Sequence, residues 1–271
     1  MSRIDEKFKE LRREGKKGFI AYLCAGDPEM ETTYALSREL GKRGIDILEL
    51  GVPFSDPIAD GPTIQKASER ALRWGTSLPD ILALVKRLRE EVSFPIVLLS
   101  YYNPIYRYGI ERFVNDSREA GVDGVIVPDL PLEEGETLKT AAQQKGLDMI
   151  FLLSPTSSRE RIRLISRSSS GFIYYVSLTG ITGARTILAK GIQDKIAEIR
   201  AITNKPVAIG FGVSTPAQAR QAAEWVDAVI VGSAIIDVVE RHLNQPDLIS
   251  AVGDFTDHLI TGIKNQNLSE G

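Results

Sequence analysis

The chain alternates eight times between a short apolar run and a longer amphipathic stretch, and this rhythm restricts the possible folds more than any other property. The runs are Phe19–Leu23, Ile45–Leu50, Ile96–Ser100, Gly124–Val127, Met149–Leu153, Phe172–Ser177, Val207–Gly210 and Ala228–Val231. Their apolar character is mostly continuous instead of alternating, as expected of strands buried on both faces of a parallel sheet. The segments between them carry helix starts. Asp27-Pro28 and Thr215-Pro216 each place a capping side chain before a proline at the first helical position. Ser157 and Glu160 have capping-box spacing, and Pro79 heads DILALVKRLREE, whose aliphatic residues fall three and four apart.

Nothing in the composition divides the chain. No Pro/Gly/Ser-rich linker interrupts the rhythm, and the serines of 166–170 read as the turn before the sixth strand. An open doubly wound sheet more often has fewer strands, whereas eight strand-helix units in 271 residues match one closed barrel. The expected fold is therefore α/β, a single-domain (β/α)8 barrel of the TIM type over 1–271. An extra N-terminal helix at about Ser2–Glu14 would cap it, with 1–15 as the cap and 16–271 as the barrel.

Several function classes are excluded. The single cysteine cannot form an internal disulfide, and no His/Cys cluster has metal-ligand spacing, so no metal is expected. The 33 basic and 36 acidic residues are interspersed, giving a net charge of −3 and no basic footprint for nucleic acid. Apolar runs are too short to cross a membrane, and the N-terminus is too charged for a signal peptide. The expected location is the cytoplasm.

In a barrel of this type chemistry sits at the C-terminal ends of the strands. The segment Glu49–Pro62 after the second run is the most unusual stretch, with Glu49 inside an apolar strand and Asp60 in a loop rich in proline. Burial would raise the pKa of Glu49 toward neutrality, while Asp60 on a partly solvated loop would stay ionised, an acid/base pair suited to proton shuttling. Against this stand a buried ion pair for Glu49 and simple turn chemistry for Asp60, although lysines and arginines avoid the centres of the eight runs. Glycine-rich strand ends follow at Thr179–Gly183, Gly210–Ser214 and Gly232–Ile235. A short helix starting at Ser233 would aim its N–H groups at an anion, the usual phosphate site of such barrels, though each glycine alone could be turn punctuation.

Other chemistries fit poorly. Lys205 precedes its strand and so lies at the wrong end for a Schiff base, and His242 and His258 fall in the C-terminal helical region as surface residues. Cys24 reads as a small buried apolar residue, Trp74 and Trp225 as packing residues. The Tyr101–Pro104 loop could line the site or form an interaction surface.

The segment LELGVPFSDPIADGPTIQ resembles the signature of the tryptophan synthase alpha subunit family. The likeness continues through AGDP at 25–28, YYNP at 101–104, VPDLP at 127–131, TGITG at 179–183, GFGVS at 210–214 and GSAI at 232–235. The resemblance implies retro-aldol cleavage of indole-3-glycerol phosphate to indole and glyceraldehyde 3-phosphate. Glu49 matches the family's acid/base and Asp60 the carboxylate that accepts the indole N–H. Gly183, Gly212, Gly232 and Ser233 match the phosphate cradle, and Tyr174 the substrate-lining tyrosine. Thr182 matches a loop threonine that meets the catalytic aspartate when a mobile loop, about 184–191, closes. Cys24 stands where a threonine or methionine is more usual.

The resemblance also implies an alpha-beta-beta-alpha heterotetramer. Indole would pass to a beta subunit that carries the pyridoxal phosphate, leaving no cofactor in this chain. Pro53, Asp56, Asn103 and Pro104 would belong to the partner surface. A degenerate subunit acting only as an allosteric partner, and a stand-alone lyase, are the competing readings.

Overall fold

All eight runs become strands of one parallel sheet, and helices return the chain to the start of each next strand. The computed structural model describes residues 1–176, 185–210 and 212–264, with side chains throughout except at 185–190. The elements begin with α1 (Arg3–Arg13), β1 (Gly18–Cys24), α2 (Met30–Lys42), β2 (Ile47–Gly51), α3 (Pro62–Arg73), α4 (Leu78–Leu88), β3 (Ile96–Leu99), α5 (Tyr102–Tyr108) and α6 (Ile110–Ala120). They continue with β4 (Gly124–Ile126), α7 (Glu136–Lys145), β5 (Asp148–Ile150), β6 (Leu152–Leu153), α8 (Arg159–Ser168) and β7 (Ile173–Val176). The last are α9 (Arg185–Arg200), β8 (Val207–Gly210), α10 (Pro216–Trp225), β9 (Ala228–Val231), α11 (Ser233–Arg241) and α12 (Leu248–Lys264).

The strand order is β5-β4-β3-β2-β1-β9-β8-β7-β6. β5 and β6 are the lower and upper halves of the fifth run, separated only by Phe151. The lower half pairs with β4 and the upper with β7, and the Phe151 carbonyl accepts the Tyr174 N–H at 3.1 Å. Both ends of the ladder therefore belong to one stretch of chain, and the sheet closes as a barrel of eight staves with its hydrogen-bonding edges removed.

Side-chain alternation sorts the strands into two cores. Residues facing outward, such as Phe19, Leu48, Leu98, Val125, Ile209 and Val229, pack beneath the helices in one large ring-shaped core. Those facing inward fill the barrel with Ile20, Ile47, Val97, Ile126, Ile150, Phe172, Ala208, Ala228 and Ile230. Helix α1 closes the N-terminal end by burying Ile4, Phe8 and Leu11 against this inner set. Ile4 fits where a Cβ on Gly124 or Gly171 would approach it to about 3 Å. At the same end, carboxylates of Asp46, Asp123 and Asp227 accept an N–H from the start of a neighbouring strand, that of Phe19, Ile96 and Val207 respectively.

Local signals were realised unevenly. Ser2 caps α1 by accepting the Asp5 N–H, and Thr215 caps α10 through Gln218. Asp27, expected to cap, is instead bound to Arg70, and α2 starts later, at Met30. The cap of α8 is Ser158 and not Ser157, whose hydroxyl is engaged by the Ser154 N–H in the preceding turn. Ser166 and Arg167 lie within α8, while the Ser169 and Ser170 hydroxyls accept N–H groups of Phe151 and Met149 at the barrel seam. Tyr101–Pro104, expected as a loop, runs into α5, because Asp129 from the next loop accepts the Tyr102 N–H. Residues 185–191 of the expected mobile loop are the first turns of α9. Trp225 packs on the core, but Trp74, expected to pack, is 74% exposed.

Candidate active site

Above the aliphatic layers the inward-facing positions change character. The next residues up each stave include Tyr22, Glu49, Leu99, Tyr174, Gly210, Ile230 and Gly232, and they floor a cavity of about 490 Å³ at the C-terminal mouth. Asp60, Gly61, Pro62, Thr63 and Ile64 form one wall, and Gly212, Gly232 and Ser233 the opposite one. The period of two in β1 and β2 puts Tyr22 beside Glu49 in the sheet register.

Glu49 is 1% exposed, and its Oε2 has no hydrogen-bond partner among the described residues. Among the described residues no lysine or arginine pairs with it, so the buried ion pair is not formed. Burial, reinforced by the negative charge of Asp60, pushes its carboxyl up to about 8, so much of it is protonated at neutral pH. Asp60 departs from expectation. Burial pushes it up to about 6 as well, with the Tyr101 hydroxyl opposing the rise, so it is mostly ionised at pH 7 but titrates within reach of it. Its position is built by a short turn in which Asp60 N–H donates to the Pro57 carbonyl at 3.0 Å and Ala59 N–H to the Tyr101 hydroxyl at 2.9 Å. Gly61 then opens α3, whose positive end favours an anion at Asp60.

Two tyrosines complete the floor. A Cβ on Gly51 would lie 2.2 Å from the Tyr22 hydroxyl, and one on Gly210 would lie 2.8 Å from that of Tyr174. These glycines are where the ring tips sit. Burial drives both hydroxyls well above the ordinary tyrosine range, so they remain protonated donors. Tyr174, which the resemblance matches to a substrate-lining tyrosine, stands on the floor of this cavity. Tyr22 and Leu99 were missed, although alternation within FIAYLC would have set Tyr22 on the same face as Glu49; Tyr101, from a loop expected either to line the site or to form an interaction surface, meets Asp60.

On the opposite wall Gly212 has φ +75, a left-handed conformation suited to glycine, and the space beside its Cα is open. Gly232 precedes α11, and the helix begins at Ser233 with its first N–H groups at the cavity. Thr182 and Gly183 lie outside the described residues. Of the residues that the resemblance assigns to a partner surface, Asp56 and Asn103 are exposed, Pro104 is partly exposed and Pro53 is buried. Cys24 is buried, with Sγ 3.8 Å from Ser68 Oγ. Lys205 reaches the Ser169 carbonyl at the far end of the barrel.

A family model described as "Tryptophan synthase alpha chain" matches residues 8–255. The chain belongs to the tryptophan synthase alpha chain family. A tryptophan synthase alpha chain from Geotalea uraniireducens is 50% identical over 264 residues, covering 97% of this chain and 98% of the relative. One from Geobacter sulfurreducens is 52% identical over 241 residues, covering 89% and 91%. The crystal structure of tryptophan synthase subunit alpha from Legionella pneumophila superposes with a TM-score of 0.90 at 38% identity, covering 97% of this chain and 98% of that one. As in sequence, so in shape, this is an alpha-chain barrel over nearly its whole length. Among the described residues no helix is long and apolar enough to cross a membrane.

Proposed function

We propose that this chain carries out the alpha reaction of its family, the cleavage of indole-3-glycerol phosphate to indole and D-glyceraldehyde 3-phosphate, as a lyase of tryptophan biosynthesis. The observation that carries this reading is the buried, largely protonated Glu49, its Oε2 without a partner among the described residues, in one cavity with ionised Asp60 and a helix N-terminus on the far wall. The phosphate suits the wall formed by Gly212, Gly232 and Ser233, where backbone N–H groups and the α11 dipole meet a dianion; Thr182 and Gly183 are assigned to the same cradle by resemblance. The indole ring then lies toward Glu49, Asp60, Tyr22 and Tyr174.

Protonation of the indole ring carbon that bears the glycerol chain, by the Glu49 carboxyl, places positive charge on the ring nitrogen. Asp60 accepts the N–H hydrogen bond and offsets that charge. The Glu49 carboxylate next takes the proton of the adjacent glycerol hydroxyl. The carbon-carbon bonding pair moves into the ring, indole regains its aromaticity, and the aldehyde departs. Glu49 ends protonated as it began.

Indole passes to a beta subunit for L-tryptophan synthesis. We assign the pyridoxal phosphate to that subunit, the assembly to an alpha2beta2 heterotetramer, and the docking face to Asp56, Asn103 and Pro104. Pro53 contributes by shaping the loop from within. A cytoplasmic location suits a chain whose single cysteine is a buried thiol. The test is indole release from indole-3-glycerol phosphate by the purified chain, with and without a beta subunit. Turnover that rises with the partner is expected; no turnover in either case overturns the reading, and full partner-independent turnover would make the chain a stand-alone lyase.

A further inference from the structure

Helix α3 starts at the Asp60 wall and crosses the top of the barrel toward the β1 loop, yet little apolar surface holds it there. Its buried residues are Ala67, Ser68 and Ala71, with Ile64 partly buried. By contrast α11, on the phosphate side, buries Ala234, Ile235, Ile236, Val238 and Val239. Methyl groups allow a helix to slide or roll at small loss of contact, whereas interlocked aliphatic chains do not.

What α3 has instead is a charged fork. Arg70 Nε donates to Asp27 Oδ1 at 2.6 Å, and a second guanidinium nitrogen donates to Asp27 Oδ2 at 2.9 Å. The Asp27 carboxylate has no exposed surface and the Arg70 side chain retains only 15%. Glu240 of α11 lies 3.7 Å from the same guanidinium and 3.4 Å from Lys66 of α3, tying the helix on its other side. The loop that carries Asp27 is itself tight: a Cβ on Gly26 would lie 2.2 Å from Thr76 Oγ1, just beyond the end of α3. A bidentate pair fixes direction as well as distance, which a lysine cannot do. Pro62 and Arg70 are eight positions apart, so about 12 Å of helix separates the fork from the cavity, and neither Arg70 nor Asp27 lines it.

We infer that Arg70, gripping Asp27, is a positioning residue for the alpha reaction: it sets the placement of α3 and through it the distance from Asp60 to the substrate's indole N–H. This rests on the proposed cleavage reaction. The phosphate wall is anchored by Ala234, Ile235, Val238 and Val239 of α11 in the large outer core, which α3 does not join, so loss of the fork falls on turnover more than on binding.

The full chain and its Arg70→Lys and Asp27→Asn variants are compared in steady-state cleavage of indole-3-glycerol phosphate, with hydrogen exchange over 58–72 and thermal unfolding measured on the same samples. For Arg70→Lys, kcat is expected to fall about 100-fold, the loss that goes with about 1 Å of misplacement, while KM stays within about threefold and exchange in α3 accelerates. A folded variant with kcat within about twofold of the parent, or one whose loss falls on KM with kcat intact, overturns the inference. So does a fall in kcat with α3 exchange unchanged. If Arg70→Lys does not fold, Asp27→Asn, which keeps the acceptor's shape and one carbonyl oxygen, is read by the same criteria. An inactive parent chain would defeat the cleavage reading instead, and α3 exchange would still report whether Arg70 holds the helix.

Discussion

The two ends of the barrel are made by the same staves and could hardly differ more. Toward the N-terminal end the inward positions are aliphatic, α1 plugs the opening with Ile4, Phe8 and Leu11, and three aspartates accept strand N–H groups. Toward the C-terminal end the next inward positions are Glu49, two tyrosines and glycines, with a cavity where the plug would be. One end is filled; the other leaves a buried carboxyl oxygen at an open cavity, with no partner among the described residues. The difference teaches that stability is concentrated where chemistry is not, because an unpaired buried acid is tolerated only on a scaffold closed elsewhere.

The comparison breaks most sharply at Glu49. Glu49→Gln should lower indole release by about 1,000-fold or more, the upper range of general acid/base effects, while leaving KM and folding largely intact; steady-state kinetics with a thermal melt on the same sample checks both, and near-parental activity would refute the proton transfer. At the other end, Phe8→Ala removes a ring tilted by 52° to that of Phe172, with centroids 5.7 Å apart. It should destabilise the fold by about 3–5 kcal/mol, seen in denaturant unfolding, with kcat per folded molecule unchanged. A comparable loss of kcat in the folded fraction would show that the two ends are not separable.

The pH dependence of stability sharpens the contrast. Glu49 is pushed up to about 8 from an ordinary value of 4.5. Between those values the native state holds a proton that the unfolded chain has released, so this group's contribution is greatest below about pH 4.5 and declines as pH rises to about 8. The Tm of Glu49→Gln should therefore gain on the parent across that window and level off above it. Parallel Tm curves would mean that the buried carboxyl is ionised throughout. The smallest effect is expected at the phosphate wall, where Gly212→Val forces a branched side chain into a left-handed backbone. KM should rise about tenfold, a loss of about 1.4 kcal/mol of binding, with kcat little altered; an unchanged KM would remove Gly212 from the cradle.

Much of this was legible from local pattern. The continuous apolar runs announced parallel strands buried on both faces, and glutamate within ILEL stood out because a strand centre is a costly place for a carboxyl. Glycines after the late strands read as part of the site for a similarly local reason, and Gly210, Gly212 and Gly232 do line the cavity, Gly212 in the left-handed conformation that glycine favours. Signals that depend on a distant partner were misread. Asp27 looked like a helix cap until Arg70, 43 residues away, took both its oxygens. Tyr101–Pro104 looked like a loop until Asp129 supplied the cap that the segment itself lacks. Asp60 looked solvated because it lies in a proline-rich loop, yet the neighbouring elements shield it enough to push it up to about 6.

By itself the sequence determined the number of staves, the faces of each strand and the place of a glutamate inside one of them, because those follow from the period of side chains along a chain and from the free energy of burying charge. The family signature within it is equally a property of order along the chain. Only the tertiary structure decided that the fifth run would be the seam, that Tyr22 would stand beside Glu49, and that α3 would be held by a charged fork while α11 is held by aliphatic packing. Each of these depends on which residues closure brings together, and contacts between distant parts of a chain are set by the joint packing of all its elements, not by the preferences of any one of them.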